Sequence, residues 1–84
     1  MIFSHEEPLT LAIMTGKTPR INQILSATLK RPFSIIHYLT KQSREATEYG
    51  LICLAALESI ERGGTSEDTA VAIVVNLQIQ YGER

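Results

Sequence analysis

Helix-breaking residues partition this chain into short segments, and within each segment the apolar residues recur at helical spacing. Gly16, Thr18-Pro19, Pro32 and Gly63-Gly64 are the breaks. Ser4 stands as an N-cap with Glu7 three residues on, the spacing of a capping box, and Pro8 falls at the border of the first turn, the one place a helix tolerates proline. The segment runs through Leu9, Leu11, Ala12 and Ile13 to Gly16, a C-terminal stop. Thr18 followed by Pro19 predicts a second helix, with Ile21, Ile24, Leu25 and Leu29 on one face until Pro32 ends it.

A third short helix is expected from Phe33 to about Lys41, with Ile35, Ile36 and Leu39 inward and Ser34, His37, Tyr38 and Lys41 outside or at the margin. Ser43 is the expected cap of a fourth, longer helix carrying Ala46, Tyr49, Cys53, Leu57 and Ile60 on one stripe. Leu51, Ile52, Leu54 and Ala55 extend its apolar surface round most of the cylinder, the pattern of a central helix or of one shared with a second subunit.

After Gly63-Gly64, acids in the stretch Thr65 to Thr69 favour a new helix N-terminus. Residues 70–81 admit two readings. Ala70, Ile73, Val74, Leu77 and Tyr81 form a helical stripe, whereas β-branched Val71, Ile73, Val74 and Val75 suit a strand. The capping residues and the glycine pair favour the helix. The fold class expected is therefore all-α, one domain over residues 1–84, a compact bundle of about five short helices.

Charge is distributed unevenly over these segments. Lys17, Arg20, Lys30, Arg31, Lys41 and Arg44 lie in a stretch without a single acid, although the whole chain is at net −1. Residues 45–84 carry seven acids against Arg62 and Arg84. Such separation predicts a molecule with one basic side, and a basic side predicts an anionic partner, DNA or an acidic protein surface.

Enzymatic chemistry finds little support. Two histidines, His5 and His37, and the lone Cys53 have no zinc-site spacing. Cys53 sits in the apolar run Leu51 to Leu57, where a thiol serves as a small core residue and a poor thiolate. Glu58 and Glu61 share a helix face but read as solvating charges. Gly16-Lys17-Thr18 matches the end of a phosphate-binding loop, yet Leu11 stands where the motif needs its first glycine, and a helix precedes it where the motif needs a strand. The expectation is a non-enzyme without cofactor, metal or small-molecule substrate.

Residues 21–42 can be laid on a helix-turn-helix. Ile24 would be the early buried aliphatic, Ala27 the small contact residue, Lys30-Arg31-Pro32 the corner, and Ile35 and Leu39 the inward residues of the second helix. That arrangement would turn Ser34, His37, Tyr38 and Lys41 toward base edges or phosphates, with Lys30, Arg31 and Arg44 flanking as phosphate contacts. Two functions follow as expectations. One is a small DNA-binding transcriptional regulator; the other is a helical adaptor or inhibitor acting through protein–protein contact. A core this small suggests a homodimer, with Leu51, Leu54, Ile73 and Leu77 as candidate interface residues. The short apolar runs and the single cysteine suit a cytoplasmic protein without a membrane span.

Overall fold

The computed structural model describes residues 6–45 and 47–82. Five helices follow one another: α1 (Glu6–Met14), α2 (Thr18–Leu29), α3 (Ile35–Ser43), α4 (Glu48–Ile60) and α5 (Glu67–Tyr81). There is no strand among the described residues, so residues 70–81 take the helical alternative. The expected Ser4 cap of α1 lies outside the described residues.

Local chemistry explains most of the boundaries. At the end of α1, Gly16 adopts φ +65°, and the Lys17 N–H turns back to the Ala12 carbonyl at 2.9 Å. This left-handed closure uses the amide that a bound phosphate would need. Thr18 is already the first residue of α2, and Lys17 occupies the cap position without a side-chain cap bond, one residue earlier than the Thr-Pro pair suggests. Pro19 needs no intrahelical donor there, so it starts the helix by its fixed φ alone.

α2 ends at Leu29, ahead of Pro32, because Lys30 takes the left-handed conformation at φ +57° and its N–H caps the Ser26 carbonyl. α3 begins two residues later than Phe33. Ser34 is its N-cap, accepting from the His37 N–H at 3.2 Å. Ser43 does not cap α4. It closes α3, its hydroxyl donating to the Thr40 carbonyl at 2.8 Å, and Thr47 caps α4 by accepting from the Gly50 N–H at 3.1 Å. Ser66 caps α5, with Glu67 and Asp68 in the first turn where the helix dipole favours them.

α3 packs most extensively on α4, and α1 on α5, while α2 joins the two pairs. The connection between Gly64 and α5 is tied back to α1, the Thr65 N–H donating to the Met14 carbonyl at 3.1 Å. Gly64 lies at φ +116° against that same carbonyl, and a Cβ there would collide with it. Leu9, Ile13, Ile21, Leu25, Ile35, Leu39, Ile73 and Leu77 are the largest fully enclosed side chains. The radius of gyration, 11.6 Å, is that of a well-packed chain of this length.

Burial corrects two expectations and removes one of the two alternatives for α4. Ile73 and Leu77 are completely enclosed, so they build the core and cannot form a subunit interface. Ala27 is exposed and Ile24 half-buried, whereas Ile21 and Leu25 carry the inner side of α2. The helix-turn-helix register that relied on Ala27 as the contact residue is therefore not the packing adopted. For α4, the enclosed central position is not the one adopted, since Leu51 is 70% exposed and Leu54 43%; the alternative of a helix shared with a second subunit is untouched by this exposure.

Candidate nucleic-acid interface

The corner between α2 and α3 is held by side chains that reach back from α2. Asn22 Oδ1 accepts from the Ile35 N–H at 2.7 Å, and Ser26 Oγ accepts from the Phe33 N–H at 3.0 Å. Both amides would otherwise be orphaned near a helix start. Their capture fixes the direction in which α3 leaves the corner.

On α3 the inner side is Ile35, Tyr38 and Leu39, all buried. Tyr38, expected among the outward residues, is 4% exposed, so it is removed from the candidate contacts. Its hydroxyl is satisfied by the Tyr49 hydroxyl of α4 at 2.6 Å. Burial pushes the Tyr38 phenol up to about 12, the bond from Tyr49 opposing part of that rise. The Tyr49 phenol is raised as well, first by burial and then by its bonds with Tyr38 and Cys53. Cys53 is fully enclosed, and burial raises its thiol too. A protonated, enclosed thiol is chemically quiet.

The opposite side of α3 is different. Ser34, His37, Lys41 and Arg44 are all exposed. At about 100° per residue they fall within an arc of about 80°, in a row roughly 15 Å long. Ser34 serves as the cap through an acceptor lone pair, which leaves its hydroxyl hydrogen to donate outward. Exposed Lys30 and Arg31 stand just before this row. The Arg31 guanidinium lies over the Tyr81 ring, 5.1 Å from its centroid. Tyr81 in turn meets Phe33 edge-on at 5.9 Å and Tyr38 at 6.2 Å, so the ring beneath Arg31 is braced from two sides.

The basic stretch does not form one group. Lys17 and Arg20 line a groove with Pro8 and Leu11 of α1, at the start of α2. Lys30 and Arg31 follow its far end, a helix length of about 18 Å away. The structure thus brings Lys30, Arg31, Ser34, His37, Lys41 and Arg44 to one helix and its approach, and leaves Lys17 and Arg20 apart from them.

Sequence reasoning missed the roles of Asn22, Ser26, Tyr49 and Tyr81. Asn22 and Ser26, spaced four apart on α2, carried a readable hint as polar residues beside the inner stripe. The Tyr49 and Tyr81 contacts are long-range and had no local signal. Among the described residues, no group of three or more His, Cys, Asp or Glu side chains could hold a metal ion, and no helix is long and apolar enough to cross a membrane. Compared with family models, with curated proteins and with solved structures, the chain matches none.

Proposed function

We propose that this protein is a small non-enzymatic regulator of the cytoplasm that binds DNA through the outer side of α3. The observation that carries the reading is the acid-free row Ser34, His37, Lys41 and Arg44, all exposed on one helix side. A row of about 15 Å is commensurate with a major groove about 12 Å wide. His37 and Ser34 offer hydrogen bonds to base edges, whereas Lys30, Arg31, Lys41 and Arg44 supply phosphate contacts that set affinity without sequence preference.

Fluorescence anisotropy with a short labelled duplex at two salt concentrations tests it. Each phosphate contact should contribute about 0.9 to the slope of log affinity against log salt. Lys41→Glu should weaken binding and lower that slope, while the fold persists because Lys41 is exposed. Absence of duplex binding at low salt would end this reading.

A second reading, an adaptor or inhibitor acting on another protein, is favoured by a groove of about 530 Å³ between α1 and α5. Leu11, Met14 and Val71 give it an apolar wall, and Glu7 and Glu67 stand at it as carboxylates. Such a groove suits a cationic amphipathic segment. Binding there would be abolished by Leu11→Glu and indifferent to Lys41→Glu, the reverse of the outcome expected for α3.

A further inference from the structure

We infer that two copies of this chain associate through antiparallel pairing of their α4 helices. The exposed residues Glu48, Leu51, Ala55 and Glu58 follow one another at three- and four-residue spacing along α4. At helical geometry they make a single stripe, with Leu54 at its border. Arg62 continues the stripe one turn on: it is exposed, and its Nε donates to the Glu58 carbonyl at 3.3 Å. The stripe therefore begins with a carboxylate and ends with a guanidinium, with Leu51 and Ala55 in its middle and a second carboxylate, Glu58, one turn before the arginine.

That order is self-complementary only when the second copy runs the other way. An antiparallel twofold axis through Ala55 sets Glu48 of each chain opposite Arg62 of the other, two equivalent ion pairs from one symmetry operation. Ala55, the smallest residue of the stripe, then lies at the closest approach of the two backbones. Leu51 and Leu54, 70% and 43% exposed in the single chain, flank the axis and are removed from water. A parallel arrangement would oppose Glu48 to Glu48 and Arg62 to Arg62.

The surface at the start of α4 is already shaped for the arginine. Glu45, Thr47, Glu48 and Leu51 line a groove of about 430 Å³. Two carboxylates, a hydroxyl and an apolar wall suit a guanidinium on an aliphatic stem, which binds carboxylates through its forked donors while its methylenes cover apolar surface. The exposed row Val71, Val75 and Ile79 on α5 has no comparable pairing of opposite charges among the described residues. One helix side is smaller than the about 800 Å² per partner of a standard interface, so the association is weak and shows as concentration dependence.

Sedimentation velocity across a concentration series, with no nucleic acid present, tests the inference independently of the DNA-binding reading. The wild-type chain should shift from monomer toward dimer as concentration rises to the millimolar range. Leu51→Glu should abolish the shift, and Glu48→Arg and Arg62→Glu should each weaken it, while the double variant Glu48→Arg/Arg62→Glu recovers it. Val75→Glu should leave it unchanged, and circular dichroism of each variant should retain the wild-type helical signal. A wild-type chain that stays monomeric throughout, or a dimer that survives Leu51→Glu or yields to Val75→Glu, overturns the inference. Failure of the double variant to exceed both single variants overturns the antiparallel register.

Discussion

The hydroxyls of Tyr38 on α3 and Tyr49 on α4 meet at 2.6 Å, eleven residues apart in sequence. This bond lies between the two helices that pack most extensively on each other, and it satisfies the polar end of a ring whose body belongs to the core. Tyr38→Phe should cost about 1–2 kcal/mol, because the Tyr49 hydroxyl loses its oxygen partner within a part-buried site. Removing both hydroxyls should cost less than the two single changes added together, since neither group is then left unpaired. Urea denaturation of the two single variants and the double variant checks this; strict additivity would contradict it.

The same pair predicts a dependence on alkaline pH. Burial raises both phenols above their ordinary value near 10, Tyr38 to about 12 and Tyr49 further in the same direction. A group whose folded pKa is raised stabilises the fold fully below the unfolded value and loses that contribution as pH climbs through the folded one. Thermal midpoints should therefore fall as pH rises from about 10. In the Tyr38→Phe/Tyr49→Phe variant the decline should be shallower. Parallel curves for the two proteins would refute the assignment.

Asn22 fixes the approach to α3 by accepting from the Ile35 N–H at 2.7 Å. Asn22→Ala leaves a partly buried amide without a partner and should destabilise the fold by about 1–3 kcal/mol. Because α3 takes its direction from that corner, hydrogen exchange at Ile35 and Ile36 should quicken more than exchange in α1. Uniform acceleration along the chain would show that Asn22 is not a local anchor.

Lys30 holds φ +57° at the end of α2, a conformation that glycine adopts without penalty. Lys30→Gly should raise stability by about 1 kcal/mol or less, the relief of left-handed strain being partly offset by the looser unfolded chain. On the proposed reading it should also weaken duplex binding by removing a phosphate contact. A variant both less stable and weaker in binding would be explained by damage to the corner instead, and would count against the role given to Lys30.

The neighbouring glycines separate conformational strain from collision. Gly63 at φ +122° has open space where a Cβ would stand, while Gly64 at φ +116° faces the Met14 carbonyl. Gly63→Ala should cost about 1–3 kcal/mol from backbone strain alone. Gly64→Ala should cost distinctly more, since the link between α1 and the start of α5 must shift to admit the methyl group. Equal thermal midpoints for the two variants would contradict the close approach.

The breaks and the apolar periodicities were legible in the sequence because both act within a few residues. Gly16, Pro19 and Gly63-Gly64 mark helix ends, and the stripe Ala70, Ile73, Val74 and Leu77 identifies α5 despite its β-branched residues. Boundaries were harder where several hydroxyls compete. Ser43 and Thr47 are both sound caps, and the choice between them rests on tertiary packing: Gly50 of α4 sits against the Gln42 and Glu45 carbonyls, which brings the chain round before Thr47. Tyr38 falls three residues after Ile35, so its ring fits the inner side of α3. What the sequence does not display is a partner for its hydroxyl, and without Tyr49 the margin is the sensible place for a phenol. The candidate site was half legible: the acid-free stretch gave its residue types, but the distance between Lys17 and Lys30 along α2 divides a charge group that looks continuous in one dimension.

The seclusion of Cys53, the chain's one thiol, makes it a built-in clock for internal motion. It is wholly enclosed on α4, beside the tyrosine bond to α3, so a thiol-modifying reagent reaches it only when those helices part. Its labelling under native conditions therefore reports how readily the packing around α4 opens, with no engineered probe.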